Sequence, residues 1–270
     1  MVHYPAFMTS LAGSNSKRIN QRLVAAPANA VLTSAWLRGR GISSKLAGYY
    51  AGSGWLHRIG DGAFTVQSGS PTWLGAVFGL QQKSQSFHPG GRTALELSGL
   101  AHFLPLGESH PLFLFSRSGK RLPAWFKGLP WSKRVRHVST NFLPEDLGFN
   151  EHREGELVVK ISSPERAIFE LLQALDPSAA EYEHANLIFE GLGTLRAEVV
   201  QLLLEQCSSV KVKRLFLHLA EKHHHAWFKS LDLSKVSLGS GKRVLVAGGR
   251  LDPKYLITVP ITPEFPSDAP

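Results

Sequence analysis

The chain is poor in sulfur: Cys207 is its one cysteine, and methionine occurs twice in 270 residues. That excludes an internal disulfide framework and a thiolate-built zinc site. Cys207 closes the apolar pattern Leu202-Leu-Leu-Glu-Gln-Cys207 and reads as a buried structural thiol in a protein expected in a reducing cytoplasm. No apolar run approaches the roughly 20 residues that span a bilayer, and no basic stretch precedes a sustained apolar core near Met1. Neither a membrane anchor nor a secretory leader is therefore expected. Also missing are the Gly-x-Ser-x-Gly elbow, the His-Glu-x-x-His metal helix and the dinucleotide fingerprint. No repeat period is visible, nothing calls for a cofactor or a metal, and an enzyme is not the first expectation.

Acid is scarce as well, but unevenly. The formal net charge is +9 and the sequence pI is about 9.8. Residues 1–66 carry Lys17, Arg18, Arg22, Arg38, Arg40, Lys45 and Arg58 against Asp61 alone, a net +6. Residues 67–150 add +5, and residues 151–270 stand at −2. A basic first quarter is what attraction to a phosphate backbone needs, because each neutralised phosphate releases counterions.

Residues 33–66 supply the geometry to go with the charge. Thr33 can cap a short helix carrying Trp36 and Leu37 on its apolar side. Gly41 provides a tight turn, and Ser43 caps a second helix with Leu46 and Tyr50 at i, i+4. Trp55–Ile59 and Ala63–Val66 then flank Gly60-Asp61-Gly62, which is hairpin-turn chemistry. Helix, turn, helix and hairpin spell a winged helix-turn-helix, whose second helix enters a major groove while the hairpin follows a phosphate strand. The candidate DNA contacts are Ser43, Ser44, Lys45 and Tyr49 on the second helix. Arg38 and Arg40 at the turn, His57 and Arg58 in the wing, and Lys17 and Arg18 on a preceding helix (Ser16 to about Ala26) complete the set. Of the tyrosine pair, Tyr50 is the expected core residue.

The fold class expected is α+β: residues 1–70 as the winged domain, then a larger mixed α/β domain over 71–265 with a helical middle at about 162–230. Ser68-Gly-Ser-Pro71 is the linker candidate. Trp73–Leu80 reads as helix or strand, Gly90-Gly91 as a turn leading into a helix, and Leu112–Phe115 and Leu157–Ile161 as strands. Ser162-Ser163-Pro164-Glu165 is a strong helix start. Helices are expected over Pro164–Ala174, Ala180–Glu190, Thr194–Cys207 and Lys211–His223, with closing strands near Arg243–Ala247 and Tyr255–Val259 around Gly248-Gly249.

These segments resemble the AbiEi family, the antitoxins of AbiE type IV toxin–antitoxin (abortive-infection) systems. The resemblance rests on the winged module and on four later motifs: Arg92-Thr-Ala-Leu-Glu-Leu-Ser-Gly-Leu100, Ile161-Ser-Ser-Pro-Glu-Arg-Ala-Ile-Phe-Glu-Leu-Leu172, Leu238-Gly-Ser-Gly-Lys-Arg243 and Tyr255-Leu-Ile-Thr-Val-Pro260. It covers about Ser16 to Pro260. It implies a winged domain that binds inverted repeats in its own promoter as double-stranded DNA, as a monomer in solution or paired on DNA. It also implies a C-terminal domain that counters a nucleotidyltransferase-like toxin without a stable complex.

Other constellations of the sequence admit readings of their own. Arg121, Lys127, Lys133, Arg134, Arg166, Lys242 and Arg243 form a candidate functional surface of the C-terminal domain. The basic and aromatic run from Arg117 to Arg136 either extends a nucleic-acid surface or is a solvated hairpin with its aromatics inward. Leu238-Gly-Ser-Gly-Lys242 fails as a phosphate loop on spacing and reads as a tight turn. His223-His224-His225 reads as a polar helix end. The alternative function is a nuclease or nucleotide-modifying enzyme delivered by the winged helix, with Glu154, Glu156 and Lys160 as its residues; a protein-binding adaptor is a third.

Overall fold

The structure is a computed structural model, and it describes residues 26–66, 69–83, 86–100 and 111–261. The expected helix at Ser16–Ala26, with Lys17 and Arg18, lies outside the described residues apart from Ala26, as does Ser68. The chain divides into two compact units.

In the first unit, local rules set most of the backbone. Strand β1 (Leu32–Thr33) ends on Thr33, whose Oγ1 accepts the Trp36 N–H at 3.2 Å and so caps helix α1 (Ser34–Gly39). Helix α1 buries Trp36 and Leu37. Gly41 then takes φ +80°, a left-handed turn that favours glycine. Ser43 caps helix α2 (Ser44–Gly52) by accepting the Leu46 N–H at 3.2 Å. Ala47 and Tyr50 face the core. Strands β2 (Leu56–Gly60) and β3 (Ala63–Val66) form the hairpin, with β3 central in the order β1-β3-β2.

This unit does not stop at residue 70. Thr72 N–H donates to the carbonyl of Asn29, and Val31 N–H to that of Gly75, which fastens the residue after the would-be linker and the helix that follows to the segment before β1. That helix, α3 (Trp73–Lys83), settles the helix-or-strand ambiguity and buries Leu74, Val77 and Leu80. The same compact unit takes in residues 122–133 and 153–159.

The second unit is built around one apolar core. Strand β4 (His88–Pro89) and helix α4 (Gly91–Leu97) lead to β5 (Leu112–Ser116). Because β5 pairs in parallel with β6 (Val135–Ser139), the chain between them must cross over. That crossover carries helix α5 (Ala124–Lys127). Strands β7 (Phe149–Glu154) and β8 (Leu157–Ser162) pair, and Pro164 opens helix α6 (Pro164–Ala174), as its sequence predicts.

Helices α7 (Ala179–Glu190), α8 (Ala197–Gln206) and α9 (Val210–Lys222) surround α6. Phe169 and Phe216 meet at 4.4 Å between ring centroids in the middle of this core. Helix α8 starts later than the Thr194 expected, because the Arg196 N–H donates to the buried Glu165 carboxylate at 3.1 Å. The described residues close on a three-stranded sheet. Strand β11 (Ile257–Val259) pairs in parallel with β9 (Arg243–Val244) and antiparallel with β10 (Arg250–Asp252), the last of these not expected from sequence.

Candidate nucleic-acid interface

Helix α2 buries Ala47 and Tyr50, and this fixes what its opposite face offers. With a period of 3.6 residues, Ser44, Lys45, Gly48, Tyr49 and Gly52 fall together on the solvent side, and all five are exposed. Tyr49 is 70% exposed while Tyr50 is 6% exposed, so the pair divides as its sequence predicts. Arg38 and Arg40 are exposed beside the turn, and the Arg40 guanidinium lies 3.6 Å from the centroid of the Trp36 ring. His57 and Arg58 are exposed on β2, and Arg58 sits over the ring of Phe64 at 5.5 Å.

Three exposed cations of the first unit differ in charge pairing from several of the second. Among the described residues, Arg38, Lys45 and Arg58 form no ion pair with a carboxylate. Exposed cations of the second unit do so repeatedly: Arg117 with Glu145, Arg136 with Asp176, Lys235 with Asp232 and Lys254 with Glu221. A cation without a carboxylate partner keeps more of its attraction for an external polyanion than one already paired with an acid.

The second unit corrects one candidate. Arg166 is not a surface residue: it is 7% exposed, and its Nε and NH1 groups are engaged inside. Nε donates to Glu170 at 2.7 Å, and the NH1 group donates to the carbonyls of Pro144 and Leu147 at 2.7 and 2.9 Å. Glu170, which is 1% exposed, also accepts from Ser162 Oγ (2.7 Å) and the Gly91 N–H (3.1 Å), and its Oε1 lies 2.9 Å from His88 Nε2. Burial pushes its carboxyl pKa up, but the His88, Arg166 and Ser162 contacts outweigh burial and hold it below the usual carboxylate range.

Ser163 does not cap α6 with its side chain; it donates instead to Glu165 at 2.6 Å. Sequence reasoning missed the Glu170 cluster. The one available signal was Glu170 at i+4 from Arg166, the single polar residue between Ala167 and Leu172.

The glycine loop at Leu238–Lys242 presents carbonyls, the opposite polarity to a phosphate cradle. Arg214, 1% exposed, donates to the carbonyls of Leu238, Gly239, Gly241 and Leu256. Arg243 turns back on its own loop, donating to the carbonyls of Ser240 and Lys242, and Lys242 is exposed. Arg121 and Arg134 are exposed in the second unit, and Lys127 is exposed in the first. Lys133 also clusters with the first unit.

The nuclease candidates separate by environment: Glu154 and Glu156 are exposed at the end of their hairpin, whereas Lys160 lies 4.0 Å from the centroid of the Phe149 ring. In the histidine run, His223 meets Asn186 and His225 meets the carbonyl of Phe189. Tyr182, His218 and Asp252 line up like a relay (3.0 and 2.7 Å). Tyr182 is only 2% exposed, and burial pushes its phenol up to about 12. Among the described residues, no group of three or more His, Cys, Asp or Glu is set to hold a metal, and no helix is long and apolar enough to cross a membrane.

Comparison with known proteins points one way. Residues 15–106 match the family model described as a transcriptional regulator, AbiEi antitoxin N-terminal domain. Residues 109–260 match the model described as a transcriptional regulator, AbiEi antitoxin, of type IV toxin–antitoxin systems. No curated protein sequence matches. The crystal structure of the RV2827C protein from Mycobacterium tuberculosis is similar in fold, with a TM-score of 0.51 at 14% identity over 90% of each chain.

Proposed function

Starting from the fact that this chain belongs to the AbiEi antitoxin family of transcriptional regulators, we propose that its first unit binds duplex DNA at inverted repeats in its own promoter. In this reading α2 lies in the major groove and the β2–β3 hairpin is the wing on the phosphate strand. The observation that carries it is the combination on α2 and β2 of an exposed Ser44–Lys45–Tyr49 face with Lys45 and Arg58, which have no acid partner among the described residues.

Ser43, Ser44 and the free amides at the start of α2 suit a phosphate. Lys45 and Tyr49 are the base-facing candidates. Helix α2 contains no Arg, Asn or Gln for a bidentate base contact. Selectivity then comes from paired half-sites and from DNA shape. The second unit acts as the antitoxin, opposing a nucleotidyltransferase-like toxin without a stable complex, and the free protein is a monomer in the cytoplasm.

The test is a gel-shift titration of the purified protein on its own upstream DNA against a scrambled duplex of equal length, at two salt concentrations. Selective binding that weakens with salt is expected. Equal, weak binding to both duplexes would overturn the operator reading and leave only adhesion to phosphate.

A further inference from the structure

Helix α5 comes from the middle of the chain, yet it packs in the first unit against β2. A Cβ added to Gly60 would lie 2.5 Å from Trp125 Cβ and 3.1 Å from Trp125 Cα, so glycine lets the helix press directly on the end of β2. Trp125 and Phe126 are buried there, ring to ring at 5.7 Å. Two of the four residues of α5 therefore anchor it. Lys127, the next residue, is left exposed and has no ion pair among the described residues.

We propose that Lys127 is a phosphate contact, making α5 an extension of the wing on duplex DNA. This rests on the DNA-binding reading of the first unit. Lys127 follows Trp125 by two residues, and each Cα step covers at most about 3.8 Å. Its backbone thus lies close to the β2 strand that carries His57 and Arg58. Phosphates of one strand advance about 3.4 Å along the duplex axis. A lysine displaced from Arg58 by a few such steps meets a neighbouring phosphate of the strand the wing follows. Lysine suits this role as a flexible point charge that needs no bidentate geometry. A phosphate contact adds affinity and reads no sequence. The buried Trp125–Phe126 pair holds its backbone in place, so only the lysine side chain has to be ordered on binding.

The experiment measures affinity by fluorescence anisotropy for the full chain and for Lys127→Ala, on the upstream duplex and on a scrambled one, between about 50 and 200 mM salt. Each phosphate neutralised contributes a slope of about 0.9 in log affinity against log salt. Lys127→Ala should therefore weaken binding to both duplexes by the same factor and lower the slope by about 0.9. Across that fourfold salt range its affinity should fall about 3.5-fold less than that of the parent protein.

Lys235→Ala, which removes a lysine already paired with Asp232, should change neither affinity nor slope. An unchanged slope and affinity in Lys127→Ala would overturn the proposal. So would a loss confined to the upstream duplex, because that would make Lys127 a base contact. Failure of the parent protein to bind either duplex would overturn the DNA-binding reading itself, and it would be seen before any variant is compared.

Discussion

Gly90 and Glu170 touch because no side chain stands between them: a Cβ on Gly90 would lie 2.1 Å from Glu170 Oε2 and 2.6 Å from a ring carbon of Phe115. The φ of Gly90 is −143°, so the requirement is space and not backbone freedom. The carboxylate sits against the start of α4, where the Gly91 N–H donates to it. Gly90→Ala should therefore destabilise the protein by about 1–3 kcal/mol through overpacking. Glu170→Ala, which strands Arg166 without its buried partner, should cost about 3–5 kcal/mol. Urea unfolding of both variants measures this; wild-type midpoints would refute the packing argument.

A second prediction concerns pH. Burial pushes the Glu165 pKa up, but hydrogen bonds from Arg196 and Ser163 win and hold it at about 2, against an ordinary value of 4.5. A carboxylate depressed in the fold stabilises it fully above the unfolded pKa, and that contribution is lost as pH falls through the folded one. The window is therefore from about pH 4.5 down to about 2. The contribution is at most about 3 kcal/mol, reduced by solvent screening because the Arg196 side chain is 55% exposed. Glu165→Gln should lower the melting temperature at neutral pH and flatten its fall across this window. An unaltered acid limb would contradict the assignment.

Cys207 offers a direct probe of the core. It is 3% exposed, burial pushes its thiol up to about 11, and the thiol donates to the carbonyl of Ser209 at 3.7 Å. A thiolate is the reactive form. The folded protein should resist a neutral-pH thiol reagent and label in proportion to the unfolded fraction in denaturant. Rapid stoichiometric labelling of the native chain would show that the site is open.

Arg214 should be as demanding as any residue in the second unit. Its four carbonyl partners come from residues 238–241 and from Leu256, so it holds the glycine loop to the closing sheet. Lysine carries one ammonium in place of a planar fork and cannot satisfy them all. Arg214→Lys is expected to destabilise by roughly 2–4 kcal/mol, since buried acceptors are left unmet. Proteolysis should then begin within residues 238–256. Unchanged stability and cleavage pattern would mean that the loop holds without it.

For the interface, Lys45→Ala combined with Tyr49→Ala should weaken binding to the upstream duplex at least tenfold, on the order of 1–3 kcal/mol per good base contact. The melting temperature should stay within about 2 °C of the parent's, because exposed positions of this kind contribute little to stability. Unchanged affinity would remove α2 as the reading helix.

The sequence alone determined what depends on neighbours three or four residues apart. The caps at Thr33 and Ser43, the turn at Gly41, the hairpin around Gly60–Gly62 and the full extent of α6 all follow from i→i+3 hydrogen bonds, steric rules for glycine and proline, and helical periodicity. The division of Tyr49 from Tyr50 follows in the same way.

Tertiary structure decided the rest. Glu170 meets His88 across 82 residues, Glu165 meets Arg196 across 31, and Arg214 reaches Leu256 across 42. Trp125 presses on Gly60 from a segment that local patterning leaves between a surface hairpin and a nucleic-acid extension. Such partners are selected when burial removes water from a charged or bulky group and it must find complements wherever the packed chain supplies them. A pattern of residue types along the chain records that a group is polar or apolar, but not which distant group will be there to meet it.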